Sequence, residues 1–256
     1  MGYSVSYDDE RRPTLGRRFV SFLYPDSCVC CGTLLDAGEQ ICAACAEKLQ
    51  EIKPPFCPFC CVSDSDCSCR KTPRAYRAAV APYYYEASAR EAILRMKFSS
   101  KESVAAFFAD AMAKTLDARL FGVRIDIVTC VPMSKERLSQ RGFNQSRSLA
   151  EMLMRNRGDC FPLRHAKADY GLLVKNAGKA SNTQHLLSGA GRAANAFGAY
   201  DISDVEKIKN KTILLVDDII TTGATVGECA AILSLAGAKD VYVCCAAMAR
   251  MKKTDI

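Results

Sequence analysis

Residues 213–225 read Ile-Leu-Leu-Val-Asp-Asp-Ile-Ile-Thr-Thr-Gly-Ala-Thr, and this stretch decides the fold of the chain. The four unbroken apolar residues at its start predict a strand that is buried on both faces, as in a parallel sheet. After the stretch, apolar residues recur at helical spacing, at Val226, Cys229, Ala230 and Leu233. A helix is therefore expected to begin near Thr225 and to stop at Gly237. The stretch reads as a strand, a short loop and the start of a helix.

The loop of this unit carries the side chains of a sugar-phosphate site. Asp217 and Asp218 are poor neighbours for a phosphate, but they are good acceptors for two adjacent sugar hydroxyls. The following residues offer hydroxyls, a glycine and the free N–H groups of a helix start, in Thr221, Thr222, Gly223, Ala224 and Thr225. Such N–H groups and the positive end of the helix dipole favour a phosphate. The expected ligand carries a diol at one end and a phosphate at the other, as ribose 5-phosphate does.

The same stretch resembles, position for position, the phosphoribosyl pyrophosphate (PRPP) motif of type I phosphoribosyltransferases. The resemblance implies that Asp217 and Asp218 hold the ribose 2- and 3-hydroxyls and that residues 221–225 wrap the 5-phosphate. An ordinary buried strand with a polar turn is the alternative, and it explains neither the two acids nor the Thr-Gly spacing.

Chain length and charge distribution indicate what the rest of the chain contains. A chain of 256 residues has room for one full domain and a small module. Residues 1–77 contain ten Lys/Arg and ten Asp/Glu, a balance of zero, whereas residues 130–200 contain eleven and four, a surplus of +7. The surplus directly precedes the PRPP-type motif and favours a polyanion at that site, either pyrophosphate or nucleic acid. A solvated basic surface is the alternative.

Cysteine usage indicates metal binding. Ten of the 15 cysteines fall between Cys28 and Cys69, many in close pairs. No apolar run is long enough to span a bilayer and the N-terminus lacks a signal-peptide core, so a cytoplasmic location is expected. In a chain without an export signal, such pairs favour zinc over disulfides.

Two sets of cysteines have the spacing of zinc ligands. The first set consists of two C-x2-C pairs, Cys28 with Cys31 and Cys42 with Cys45, which together complete a tetrahedral site. The second set has one C-x2-C pair and one pair with a single intervening residue, in Cys57, Cys60, Cys67 and Cys69. Spacing does not fix which pairs share a metal, so crossed ligation stays open and one or two structural Zn2+ ions are expected.

The rest of the chain is divided by these patterns into three parts. We predict a tail with a short amphipathic helix in residues 1–24, a double zinc ribbon in 25–73 and an α/β domain in 74–256. Within the last part, a strand-like stretch is broken by Pro82, and two helices follow, the first ending at Lys97-Phe98. Residues 126–131 form another buried strand. It ends in a predicted loop with Arg137, Arg141 and Asn144, which should face the same crevice as the PRPP-type loop.

These features together resemble the ComF/GntX-like amidophosphoribosyltransferase-related proteins. The resemblance runs from about Cys28 to the C-terminus. Besides the ribbons and the PRPP motif, it rests on Lys97-Phe98, Val131-Pro132, Arg141-Gly142-Phe143-Asn144-Gln145, and Gln184 and Leu187 with Arg192 and Asn195. It implies a type I phosphoribosyltransferase fold, which is a Rossmann-like parallel sheet, with a small N-terminal zinc-ribbon module.

The resemblance also implies roles for individual residues. Residues 131–144 would be the pyrophosphate loop, residues 175–195 the flexible loop and residues 217–225 the PRPP loop. The implied PRPP contacts outside the last loop are Val131, Arg137, Arg141 and Asn144. Asp217, Asp218 and Arg141 would have the catalytic roles, with Mg2+ bridging pyrophosphate and the ribose hydroxyls.

Two functions follow from this resemblance. The first is a PRPP-binding protein of natural competence that acts on imported DNA beside an uptake helicase and the mediator DprA. In this case single-stranded DNA would be bound by the basic 70–77 linker, which contains Arg74 and Arg77, or by the 130–200 surface, because four-thiolate zinc sites are anionic. The second is an active phosphoribosyltransferase that releases pyrophosphate with an unassigned acceptor. A PRPP sensor without turnover is a third option, and the sequence does not give the oligomeric state.

Overall fold

The structure, a computed structural model, describes residues 26–57, 60–67, 69, 74–98, 102–176 and 199–250. The predicted N-terminal helix and most of the predicted flexible loop, including Gln184, Leu187, Arg192 and Asn195, lie outside the described residues.

A parallel sheet forms the centre of the domain. Its strands are β1 (Ala78–Val80), β2 (Tyr83–Tyr84), β3 (Ile127–Cys130), β4 (Lys167–Ala168), β7 (Thr212–Ile220) and β8 (Asp240–Met248). The strand order is β1-β8-β7-β3-β4, and β2 also pairs with β8. A separate antiparallel pair consists of β5 (Leu173–Lys175) and β6 (Tyr200–Ile202). Every pair in the large sheet is parallel, so the carboxyl ends of its strands lie at one edge. The predicted parallel α/β class is confirmed.

Strand β7 lies at the centre of this sheet because its apolar residues leave no face for solvent. Residues 213–216 are fully buried between β3 and β8. β3 ends where Cys130 pairs with Val216, whereas β7 continues along β8 to Ile220. Asp217 and Asp218 are therefore still inside β7, but they lie beyond the end of the neighbouring strand β3.

Helices cover both faces of the sheet. They are α1 (Ala43–Glu47), α2 (Ala87–Phe98), α3 (Glu102–Arg119), α4 (Lys135–Arg141), α5 (Gln145–Arg155) and α6 (Ala224–Leu235). The apolar stripe of α3 is buried at Val104, Phe108, Met112 and Leu116 and only partly buried at Phe107 and Ala111. This stripe and α5 belong to the core on one face, and α6 belongs to the core on the other. The large sheet thus separates two apolar clusters.

Helix α4 is a correction to the sequence analysis, which predicted a loop between Pro132 and Asn144. The hydroxyl of Ser134 caps the helix by accepting a hydrogen bond from the Arg137 N–H, and Gly142 ends it with a φ of 76°. A helix of seven residues in which Leu138 is the only large apolar residue has no hydrophobic periodicity to detect. The serine before it and the glycine after it were the available signals.

The two cysteine-rich segments pack on opposite sides of β2. Cys28 and Val29 of the first ribbon (residues 26–48) join the cluster that contains Tyr83. Cys61 and Val62 of the second ribbon (residues 53–69) join the cluster that contains Tyr84. Successive side chains of a strand point to opposite faces, which separates the two ribbons. None of the helices that the structure describes has the length and apolarity needed to cross a membrane.

Candidate functional site

Asp217 and Asp218 differ in environment although they are adjacent. Asp217 is 7% exposed, and its Oδ1 accepts hydrogen bonds from the Ser146 hydroxyl at 2.7 Å and from the Asp218 N–H at 2.9 Å. Burial, and then the charge of Asp218, raise the pKa of Asp217 to about 7. Asp218 is more open, and its Oδ2 lies 3.7 Å from the Lys97 ammonium. The two carboxylates are thus held by one hydroxyl donor and one cation.

Ser146 and Lys97 are site residues to which the sequence analysis assigned no role. Ser146 directly follows the Arg-Gly-Phe-Asn-Gln block, and Lys97 lies in the last turn of α2. Their partners are far away in the chain, so no local pattern links them to the acids. Their positions in the motifs that carry the family resemblance were the only signal.

The predicted phosphate loop, residues 221–225, directly follows β7. Asp217 and residues 219–226 line one pocket at the carboxyl end of β7. Thr222 Oγ1 accepts a hydrogen bond from the Ala224 N–H at 3.3 Å, where α6 begins. Gly223 has a φ of 79°, and a Cβ at this position would lie 2.9 Å from an Arg74 nitrogen. Glycine is therefore required there, and the exposed Thr221, Thr222 and Thr225 surround it.

The four predicted pyrophosphate-loop contacts are of two kinds. Val131 donates its N–H to the Val216 carbonyl at 2.9 Å, which places it beside the acids. Asn144 uses its amide within the chain, because Nδ2 donates to the Val131 carbonyl at 3.0 Å while Oδ1 caps α5. Arg137 and Arg141 are exposed on α4, one turn apart. Asn144 therefore positions this segment, and the two arginines are the side chains that face solvent.

The first cysteine set forms a metal-binding tetrad. The sulfurs of Cys28, Cys31, Cys42 and Cys45 lie within 4.8 Å of one another, with Cys31 and Cys42 separated by 3.8 Å. A tetrahedron with Zn–S bonds of about 2.3 Å has edges of about 3.8 Å. Burial opposes the ionisation of Cys28, but backbone N–H groups outweigh it and lower its pKa to about 6. Cys30 lies outside the tetrad, and burial raises its pKa to about 12.

The second set forms a separate tetrad of the same size, in Cys57, Cys60, Cys67 and Cys69. Its sulfurs are 3.8 Å apart for Cys57 and Cys69 and 3.5 Å apart for Cys60 and Cys67. Crossed ligation between the sets is therefore wrong. Cys61 lies outside this tetrad, and its sulfur accepts the Ala79 N–H at 3.2 Å. Both tetrads fit a structural zinc ion.

The two linker arginines that were expected to bind DNA both contact their own chain. Arg74 donates from NH1 to the Thr222 carbonyl at 3.1 Å, although 148 positions separate the two residues. Arg77 pairs with Asp240, and its side chain is 71% exposed. Arg70 and Lys71 lie outside the described residues. Arg74 therefore belongs to the surroundings of the phosphate loop.

Comparison with known proteins agrees with both parts of the chain. Residues 19–72 match the double zinc ribbon domain, and residues 169–255 match the phosphoribosyl transferase domain. The DNA utilization protein YhgH of Escherichia coli K12 is 29% identical over 230 residues, which are 86% of this chain and 96% of YhgH. The competence protein ComFC of Bacillus subtilis is 28% identical over 202 residues, 75% of this chain and 77% of ComFC.

Solved structures with partial similarity include the allosteric regulatory enzyme of purine biosynthesis, with 24% identity and a TM-score of 0.35 over 55% of this chain and 25% of that one. A hypoxanthine phosphoribosyltransferase from Staphylococcus aureus has 16% identity and a TM-score of 0.32 over 54% of this chain and 62% of that one. The chain is a homologue of ComFC and YhgH that joins an N-terminal double zinc ribbon to a phosphoribosyl transferase domain.

Proposed function

We propose that this protein binds PRPP together with Mg2+ and acts in the uptake or utilization of DNA. The observation that carries the first part is the pocket that Asp217 shares with residues 219–226. It joins the carboxylate of Asp217, with Asp218 as its chain neighbour, to a loop of hydroxyls and helix-start N–H groups, so it matches a ribose that carries a 5-phosphate. The names of the relatives YhgH and ComFC support the second part.

Each group has a defined task in this proposal. Asp217 and Asp218 accept hydrogen bonds from the ribose 2- and 3-hydroxyls, while Ser146 and Lys97 keep the two carboxylates oriented. Residues 221–225 hold the 5-phosphate. Arg137 and Arg141 supply positive charge for the pyrophosphate, and Mg2+, when bound, neutralises this group further.

Calorimetry with PRPP and MgCl2 tests the binding proposal. We expect saturable heat from the wild type and none from the double variant Asp217→Asn/Asp218→Asn, because an amide is a weaker acceptor for a diol. Asp169→Asn is the control, since this surface acid pairs with Lys207 and lies outside the pocket. Absence of heat from the zinc-loaded wild type contradicts the proposal.

An active phosphoribosyltransferase is the second candidate. It is favoured by the two acids beside the pocket, because carboxylates at this position stabilise the positive charge that grows on the ribose ring as the C1–oxygen bond breaks. The test is a screen of bases and amines for PRPP-dependent pyrophosphate release. Arg141→Gln is expected to slow any such release, and a screen without release above background contradicts this candidate.

DNA contact is proposed for the basic surface of α4 and α5. Lys135, Arg137, Arg141 and Arg147 are all exposed there. Replacement of Lys135, Arg137 and Arg141 by Ala should weaken single-strand binding and reduce its salt dependence, since each removed phosphate contact lowers the slope. Unchanged binding contradicts this assignment. The uptake helicase and the DprA-type mediator are the protein partners that the family resemblance suggests.

A further inference from the structure

The second ribbon lies directly against the back of the phosphate loop. Cys60 and Asp66 of the ribbon line a cavity together with Thr221 and Thr222 of the loop. This cavity measures about 20 Å3, which is room for about one water molecule. The pocket that Asp217 shares with the loop lies on another side, because neither Cys60 nor Asp66 lines it. A zinc ligand and the phosphate loop thus face each other across a cavity with room for about one water molecule.

Arg74 joins the two parts. It follows the last ligand, Cys69, by five positions, and its guanidinium reaches the Thr222 carbonyl at 3.1 Å. The guanidinium also fills the space beside Gly223 that a Cβ would need, at 2.9 Å. Arg74 lines the cavity between ribbon and loop but does not line the pocket with Asp217. It therefore contacts the loop from behind and not from the ligand side.

This contact determines the direction of one loop N–H group. The Thr222 carbonyl and the Gly223 N–H belong to the same peptide unit, and in a trans peptide these two groups point in opposite directions. With the carbonyl held towards Arg74, the Gly223 N–H points away from the ribbon, towards the ligand side of the loop. Glycine adopts positive and negative φ about equally readily, so without the arginine the peptide between Thr222 and Gly223 can turn its carbonyl dipole towards an anion.

We propose that Arg74 is a positioning residue for the phosphate loop and that the second zinc tetrad holds Arg74 in place. The zinc ribbon is then part of the anion site without touching the anion. This inference rests on the proposed PRPP binding and deepens it, because it names the element that prepares the 5-phosphate end of the site.

Arg77 provides a matched control. It has the same side chain three positions later, but it pairs with Asp240 and does not line the cavity between the ribbon and the loop. The calorimetric titration of PRPP with MgCl2 is therefore repeated with Arg74→Gln and Arg77→Gln. The Arg74 variant should bind PRPP about tenfold to a hundredfold more weakly, as expected for loss of a hydrogen bond from a charged group. The Arg77 variant should stay within about twofold, as for a surface charge.

A second readout separates positioning from general stability. In amide NMR spectra of 15N-labelled protein, PRPP should shift the Gly223 N–H resonance downfield in the wild type, since this group donates to the phosphate. The shift should be absent in Arg74→Gln even at saturating PRPP. Ethylguanidinium added to Arg74→Ala should restore part of the affinity and the Gly223 shift.

The outcomes are distinguishable. If the wild type does not bind PRPP, the proposed function fails. If the wild type binds and Arg74→Gln keeps its affinity and the Gly223 shift, the inference is overturned, and so it is if both arginine variants lose affinity equally. Should Arg74→Gln not fold, Arg74→Lys replaces it. That variant keeps one donor and should lose about threefold to tenfold in affinity, and wild-type affinity would overturn the inference.

Discussion

The two zinc ribbons have the same ligand chemistry but different positions in the molecule. The first ribbon buries Cys28 and Val29 in the apolar cluster that also contains Ile93 and Phe108, on the side of α2 and α3. The second ribbon packs against Tyr76, Ile220 and Met248 at the carboxyl edge of the sheet. Both can replace a hydrophobic core by a metal. Among the described residues, those of the second ribbon line a cavity together with the phosphate loop and those of the first do not, so the difference teaches that equal motifs need not have equal roles.

The second ribbon is also held by directional contacts to two arginines, and a third arginine follows it in the chain. Arg119 donates to the Cys61 carbonyl at 3.1 Å and lies 3.8 Å from the centre of the Phe56 ring. Arg250 pairs with Asp66 at 3.0 Å and lies over the Tyr84 ring. Arg74 adds the contact to the phosphate loop. Hydrogen bonds and ion pairs fix orientation more strictly than apolar packing.

Removal of one zinc at a time should affect PRPP binding differently in the two ribbons. Cys60→Ser/Cys67→Ser and Cys31→Ser/Cys42→Ser each remove two ligands from one tetrad. Each variant should retain one of the two zinc ions, measured by metal analysis, because a tetrad with two thiolates no longer closes. The second-ribbon variant should bind PRPP at least about tenfold more weakly, since Arg74 loses its support. The first-ribbon variant should stay within about threefold, and equal losses in the two variants would contradict the comparison.

The pH dependence of PRPP binding should sharpen the comparison by separating the two ends of the ligand. Asp217 has to be ionised to accept hydrogen bonds from the ribose hydroxyls, and its pKa is raised to about 7. Affinity should therefore increase about tenfold between pH 6 and pH 8. Arg74→Gln should lower the affinity at each pH without moving this midpoint, because it acts on the phosphate end. A shifted midpoint in that variant would show that the ribbon also affects the acids.

The raised pKa of Asp217 also determines the direction in which the free energy of unfolding changes with pH. Below the ordinary carboxyl pKa of 3.8, Asp217 is protonated in both the folded and the unfolded chain. As pH rises towards about 7, only the unfolded chain ionises this group, so the free energy of unfolding falls, and it levels off above that pH. Asp217→Asn should lack this fall. Urea unfolding of the ligand-free, zinc-loaded protein at pH 5 and pH 8 measures the difference, and parallel pH profiles of wild type and variant would contradict it.

The smallest expected effect comes from the neighbouring tyrosines that face the two ribbons. The Tyr84 hydroxyl accepts from the Ser63 N–H at 3.1 Å and donates to Asp66 at 2.8 Å. Tyr84→Phe leaves both groups without this partner and should lower the free energy of unfolding by about 1 kcal/mol. It should also speed the release of one zinc to a chelator.

Tyr83→Phe is the matched control, since it keeps the ring that packs against Phe107 and Phe108. We expect a change within about 0.5 kcal/mol and unchanged zinc release. If Tyr83→Phe destabilises the protein as much as Tyr84→Phe does, the polar anchoring of the second ribbon is not the difference between the two sides.

The sequence by itself determined the features that local spacing encodes. An unbroken apolar run predicts a strand that is buried on both faces. Residues 213–216 form such a run, and they are fully buried within β7. Cysteine pairs separated by one or two residues bring two sulfurs to one metal, so the ligands of both tetrads were identified before their pairing was known. The short helix α4 was not predicted, because it carries no periodic apolar face.

Tertiary structure alone decided which distant residues meet. Ser146 reaches Asp217 across 71 positions, and Arg74 reaches Thr222 across 148. Neither contact has a sequence pattern, because both form only when the sheet and the ribbons are packed together. The same packing decided that the second ribbon, and not the first, lies beside the phosphate loop. Its cause is the alternation of Tyr83 and Tyr84, which directs the two ribbons to opposite faces of one strand.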